Sequence, residues 1–230
     1  MNANKAFVTN GGVADICLMF VQTNLRADRK ESSVVVAERG TPGFVVGDLE
    51  DLCGMRANPV SSIRLYDCRV PVKNLLGKEG QGLRIGLTAL DTGRMGIAAQ
   101  AAGIGQAALE ESLRYARQRR QFGVPLERHQ AIQSMIAEMA TLVDAAKLMT
   151  YRAAVLRDKG KPFSQQSAMA KLFASEASSK ITDMAVQIHG GYGYSKSYPV
   201  ERYYRDARVT RIYEGTSEIH RMVIARGLLK

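Results

Sequence analysis

Cysteine and proline are scarce in this sequence, and long apolar runs are missing altogether. Three thiols, Cys17, Cys53 and Cys68, are too few and too scattered for a disulfide ladder, and none belongs to a Cys-x-x-Cys knuckle. No bound metal is expected. The longest apolar run, Ile16 to Val21, is far short of the ~20 residues that cross a bilayer. The opening Met1-Asn2-Ala3-Asn4-Lys5 has no charged-then-apolar signal order. Together these absences predict a soluble, cytoplasmic protein of bacterial type with no membrane insertion. With 46% apolar and 23% charged residues among 230, and only 6 prolines, the chain can bury one good core or two modest ones, and is neither disordered nor fibrous.

The net charge is +10, and it is unevenly spread. Residues 1–76 carry 9 Lys+Arg against 8 Asp+Glu, and residues 77–230 carry 23 against 14. A basic surface can serve a nucleic acid, an anionic membrane or a polyanionic small molecule. Arg114, Arg117, Arg119 and Arg120 belong to no recognised helix-turn-helix, so no nucleic-acid partner is expected.

Hydrophobic periodicity changes along the chain. Phe7-Val8-Thr9, Ile16 to Thr23, Ser33 to Ala37, Phe44 to Val46 and Ser62 to Tyr66 are strand-sized and rich in β-branched and aromatic residues, with Gly, Asn and Pro between them. Beyond Asn74-Leu75-Leu76-Gly77 the spacing becomes three and four. Leu83, Leu87, Leu90, Ile97, Ala101, Ile104 and Ala108 mark one helix, and Ile132, Met135, Met139, Leu142, Ala146, Met149, Ala153 and Leu156 mark a second. Phe173, Ala177, Ile181, Met184 and Ile188 form a third, with Ser164 as candidate N-cap, and a fourth runs from about Ser217 to Leu229. The spacing predicts an α+β, mainly α fold: a partial antiparallel β domain over 1–76, then an antiparallel four-helix bundle over 77–230.

Three breaks in the helical pattern carry chemistry. Arg117 to Leu126 sets guanidinium groups, which grip phosphate oxygens bidentately, beside Phe122, whose ring can cover a flat heterocycle. A charged helix end stopped by Gly123 and Pro125 reads equally well. In Gln187 to Tyr194, Gly190-Gly191 lets a phosphate approach backbone amides, or simply ends a helix. In Arg211 to Ile219, Glu214 stands on a loop beside Gly215 and Thr216, a carboxylate open to a ligand or an ordinary helix-start residue.

The order of five motifs narrows these alternatives. Leu90-Asp91-Thr92-Gly93-Arg94, Arg119-Arg120-Gln121-Phe122-Gly123, Gln187-Ile188-His189-Gly190-Gly191, Tyr204-Arg205-Asp206-Ala207-Arg208 and Ile212-Tyr213-Glu214-Gly215-Thr216 together resemble the acyl-CoA dehydrogenase family, its short-chain, butyryl-CoA dehydrogenase-like branch in particular. The resemblance implies FAD-dependent α,β-dehydrogenation of acyl-CoA thioesters to trans-2-enoyl-CoA. Glu214 is then the base for the α-proton, and hydride passes to flavin N5. Gly93 occupies the position where some relatives carry the base instead. Asp91, Arg94 and Gly215 would line the substrate. Arg119, Gln121, Phe122, Gln130, Gln187, Gly190 and Gly191 would hold FAD across a subunit interface, Thr216 and Glu218 would touch it near the loop, and Phe7 and Thr9 would lie against its ring.

A shared cofactor implies a homodimer or homotetramer, and electron-transfer flavoprotein as acceptor. The resemblance also implies that the family's N-terminal helical domain and the first part of its β domain are not represented here. That leaves, as the other reading, a catalytically inactive family member acting as an oligomerisation or FAD-binding module.

Overall fold

The structure, a computed structural model, describes residues 1–24 and 31–229. The chain forms two compact units, Met1–Ala89 and Leu90–Lys230. Strands β1 (Ala3–Thr9), β5 (Val60–Leu65) and β4 (Phe44–Leu49) make one antiparallel sheet in that order. A second antiparallel sheet consists of β2 (Ile16–Asn24), β3 (Glu31–Glu38) and β6 (Leu75–Leu76). Leu75 and Leu76, where the sequence spacing changes, pair with Val35 and Val34.

Alternation along β2 shows why these residues form a strand rather than a helix. Cys17 and Met19 pack against buried Ile63, Leu65 and Cys68, whereas Ile16, Leu18 and Phe20 point the other way and are more than half exposed. Period two turns every second side chain to one face. Phe20 lies against Gly86, where an added Cβ would come within 2.8 Å of the ring.

Helix α1 (Gly82–Gln118) is followed by a hairpin of β7 (Arg120–Gln121) and β8 (Val124–Pro125), then α2 (Gln130–Asp158), α3 (Ser164–His189), α4 (Val200–Val209) and α5 (Ser217–Leu228). The short α4 escaped the periodicity reading. Its Val200 and Ala207 are its only buried residues, too few to print an apolar stripe in sequence. Ser164 does not cap α3; Phe163 is the N-cap, and Ser164 Oγ donates to Asp91 Oδ1 at 2.8 Å.

Helix α3 is central. Fourteen of its residues are buried, which spreads burial beyond the one stripe of a surface helix. Two of its buried hydroxyls are satisfied locally or across to α1: Thr182 Oγ1 donates to the Ser178 carbonyl at 2.9 Å, and Ser167 Oγ to the Asp91 carbonyl at 2.6 Å. Two cores flank this helix. One joins Leu109, Met139, Val143, Ile181 and Ile188. The other is built from alanines alone: Ala98, Ala101 and Ala102 of α1, Ala146 of α2, and Ala170 and Ala174 of α3.

Side chains of one carbon let helix backbones approach closely, and that layer has no slack for a larger residue. Ala170→Leu is therefore expected to destabilise the helical unit by about 1–3 kcal/mol through overpacking, read as a lower urea midpoint with an unchanged slope.

Candidate functional site

The loop between α4 and α5 holds its central residues in an unusual conformation. Glu214 and Gly215 have φ of 53° and 94° in succession, a left-handed pair that costs a non-glycine residue roughly 1–2 kcal/mol. Thr216 then caps α5, its Oγ1 accepting from the Ile219 amide at 3.5 Å. The carboxylate of Glu214 rests on the backbone of α1 at Gly93. A Cβ there would stand 2.5 Å from Glu214 Oε2 and 2.9 Å from its Cδ, so glycine is required for the close approach. Tyr213 Oη donates to Gln100 Oε1 at 2.5 Å, and burial raises its pKa.

Three cationic or basic groups surround this loop. Arg94, 6% exposed, pairs with Asp91 through a 2.7 Å contact, and its Nε has no partner among the described residues. Lys171, fully buried on α3, donates to the Gly215 carbonyl at 2.6 Å. Burial pushes its pKa down to about 8; the Arg94 charge adds to the shift, and the Glu214 and Glu218 carboxylates oppose it. His220 of α5 is also fully buried. Its ring faces the backbone of Glu214 and Gly215 without a well-formed hydrogen bond to either. Burial, with the Lys171 and Arg94 charges, pushes its pKa down to about 4. Glu218 is exposed, and hydrogen bonds from its own backbone N–H and from Thr216 lower its pKa.

A second feature lies elsewhere in the helical unit. An open cleft of about 570 Å³ is lined by Arg119, Gln121, His189, Gly190, Gly191 and Tyr192, among others, and not by Glu214 or Gly215. At Gly190 and Gly191 an added Cβ would meet nothing within 4 Å, so the backbone there is bare. The Arg119 guanidinium sits 5.5 Å from the centre of the Tyr192 ring. His189 stacks on Tyr115 at 4.2 Å, and its Nδ1 lies 2.8 Å from the Ala185 carbonyl. That contact fixes the proton on Nδ1 and leaves Nε2 as an acceptor with no partner among the described residues.

The remaining sequence candidates are distributed around these two features. Phe122 and Gly123 form the two-residue tip of the β7–β8 hairpin, with φ of 51° and 82°, a type I′ pattern. The Phe122 ring is 93% exposed. Gln130 and Gln187 are exposed and do not line the cleft. Phe7 and Thr9 belong to β1 of the other unit; Phe7 has φ of 53° within a register shift between Lys5 and Val8. No group of three or more potential metal ligands occurs among the described residues, and no described helix is long and apolar enough to cross a membrane.

The sequence reading passed over Lys171 and His220, and gave His189 no role within its motif. For Lys171 a signal existed: the α3 line Ser167, Lys171, Ala174, Ser178 puts one cation in a seam of small residues at helical spacing, where a solvated lysine does not belong.

Family models for the C-terminal and the middle domain of acyl-CoA dehydrogenases match residues 80–229 and 1–68. Over its full 230 residues the chain is 48% identical to the mitochondrial short-chain specific acyl-CoA dehydrogenase of Rattus norvegicus, of which it covers 56%. It is also 48% identical to the acryloyl-CoA reductase (NADH) of Anaerotignum propionicum, covering 58%. Among solved structures, butyryl-CoA dehydrogenase from Megasphaera elsdenii matches all of the chain with a TM-score of 0.97 at 44% identity, over 60% of its own length. A chain in the structure of the electron transferring flavoprotein of Acidaminococcus fermentans matches with a TM-score of 0.96 at 45% identity, again over 60% of that chain. The chain thus spans somewhat more than half the length of these relatives.

The neutral imidazole of His220 makes the fold acid-sensitive. Because its folded pKa, about 4, lies below the ordinary 6.5, the unfolded chain takes up a proton first as pH falls. Stability is full above 6.5 and is lost as pH drops towards 4. Between pH 7 and pH 5 the loss from this group is about 1–2 kcal/mol. His220→Gln is expected to remove that part of the pH dependence in urea titrations at the two pH values, while the smaller part due to buried His189 remains.

Proposed function

The chain belongs to the acyl-CoA dehydrogenase family, and from that premise we propose that it is the flavin- and substrate-binding portion of a short-chain acyl-CoA dehydrogenase with Glu214 as the catalytic base. The observation that carries this reading is the seat of the Glu214 carboxylate on Gly93, with no room for a side chain between them. Gly93 has no side chain to act as a base, and the carboxylate that stands against it belongs to the loop.

Glu214 takes the α-proton of the thioester, and its backbone N–H donates to the thioester oxygen, where negative charge gathers as the proton leaves. FAD, when bound, supplies the acceptor for the hydride that leaves the β-carbon. Arg94 and Asp91, locked together by their ion pair, form a polar edge for the substrate, and Gly215 leaves space for it. Drawing substrate over the site excludes water and strengthens each of these interactions.

The cleft suits the dinucleotide half of FAD on its own chemistry. Arg119 offers a cationic fork and bare backbone at Gly190–Gly191 admits a diphosphate, while the half-exposed Tyr192 ring can cover a flat base. Gln121 completes the lining, and Phe122, Gln130 and Gln187 stand exposed nearby in sequence, where a ligand held by a second chain can reach them. Thr216 and Glu218 would contact FAD from the start of α5, and Phe7 and Thr9 from β1. Glu214 does not line this cleft, so the base and the dinucleotide half of a cofactor would be served by different parts of the surface, as in a cofactor shared between the chains of a homodimer or homotetramer. An exposed stripe of Leu148, Tyr151 and Val155 on α2 offers apolar surface for such assembly.

Electron-transfer flavoprotein is the proposed electron acceptor. The reductase named among the relatives works in the opposite sense, and the same carboxylate serves either direction, since the proton it removes is the proton it would return.

Anaerobic mixing of FAD-loaded protein with butyryl-CoA is expected to bleach the flavin. Glu214→Gln should slow bleaching by roughly a thousandfold with FAD content unchanged, and Gly93→Ala should slow it at least tenfold by displacing the carboxylate. Wild-type protein that holds FAD and is not bleached would contradict the assignment.

A further inference from the structure

We propose that Lys171 is a positioning residue for Glu214, holding the Glu214–Gly215 turn from beneath through the Gly215 carbonyl and presenting a fixed positive charge to the carboxylate. This rests on the reading of Glu214 as the base, and it assigns a role to a side chain outside every motif that the fold class supplies.

The argument starts from cost. The lysine ammonium of fully buried Lys171 loses its hydration and most of its rotamer freedom, and proteins seldom retain such a group without compensation. Lys171 is placed with Nζ 2.6 Å from one acceptor, the Gly215 carbonyl. That carbonyl closes the left-handed pair whose φ values are 53° and 94°. A turn of this kind persists only where its surroundings over-determine it. Here three elements do so. α1 seats the carboxylate at Gly93, α3 grips the carbonyl through Lys171, and α5 sets the His220 ring 3.3–3.4 Å from the place a Gly215 Cβ would occupy.

Charge gives the arrangement a direction. The groups facing Lys171 are Arg94 from α1, Glu214 from the loop, and Glu218 and His220 from α5. Two carboxylates favour the ammonium form, and Arg94 disfavours it. His220, held neutral at physiological pH, neither competes with the ammonium for the carboxylates nor repels it. Protonated Lys171 is thus the form that holds the turn, and it begins to lose its proton near pH 8.

The test uses FAD-loaded protein labelled with ¹³C at lysine Cε. One lysine resonance should titrate near pH 8, vanish in Lys171→Met, and move to lower pH by roughly half a unit in Glu214→Gln, because that change removes a carboxylate that favours the charged form. In bleaching by butyryl-CoA, Lys171→Met should be slower by roughly 10–100-fold at equal FAD content, and Lys171→Arg should recover most of the rate. The wild-type rate should fall above pH 8, a limb absent from Lys171→Met and displaced upward in Lys171→Arg. A lysine resonance unmoved by Glu214→Gln, or a Lys171→Met protein that bleaches at the wild-type rate, overturns the proposal. If wild-type protein does not bleach at all, the assignment of Glu214 fails, and the resonance measurement still decides whether Lys171 holds the turn.

Discussion

Close approach of α1 to α3 across a layer of alanines is the constraint on which the site depends. Ala98, Ala101, Ala102, Ala170 and Ala174 bring the two backbones near enough for Ser167 to donate to the Asp91 carbonyl and Ser164 to the Asp91 carboxylate. Those bonds fix the turn of α1 that carries Asp91, Gly93 and Arg94. Gly93 is then in place to receive Glu214, and Lys171, beside Ala170, is in place to receive Gly215. A larger residue in the layer would separate the two surfaces between which the loop is held. The packing that stabilises the bundle therefore also sets where the Glu214 carboxylate rests.

The same arrangement concentrates positive charge around that carboxylate. Arg94 and Lys171 are both buried, and each is partly neutralised: Arg94 by Asp91 and Lys171 by a backbone carbonyl. His220 could have added a third charge, but burial keeps it neutral. Burying two cations is tolerable only where carboxylates and dipoles face them. Glu214 on the loop and Glu218 in the first turn of α5 supply that field, and the loop is in turn anchored by it, so the fold around the site and the charge of the site stabilise one another.

Much of this was legible in the sequence. Period two in Ile16 to Thr23 and period three-four in Ile132 to Leu156 mark β2 and α2, because half-burial of a regular element imprints its geometry on residue choice. Glu214, Gly215 and Gly93 were identifiable through the resemblance. The omissions have physical causes. Helix α4 buries only Val200 and Ala207, leaving no apolar period to detect. Ser164 has the composition of a cap, but its hydroxyl is drawn to Asp91, 73 positions away in sequence, and local propensity does not register so distant a partner. Lys171, His189 and His220 look like solvent-facing residues by type. Only packing shows that they are buried, and only distances show what they face.

With Glu214 as the base, α1 and α3 act on catalysis through one object, the position of its carboxylate. A double-mutant cycle on the rate of flavin bleaching tests it most directly, with Gly93→Ala on α1 and Lys171→Met on α3. If both changes work by displacing the same carboxylate, their effects overlap, and the double variant should be faster than the product of the single effects by a coupling of about 1 kcal/mol or more. Effects that simply multiply, within about 0.3 kcal/mol, would mean that the two helices influence the reaction independently, and would contradict the account.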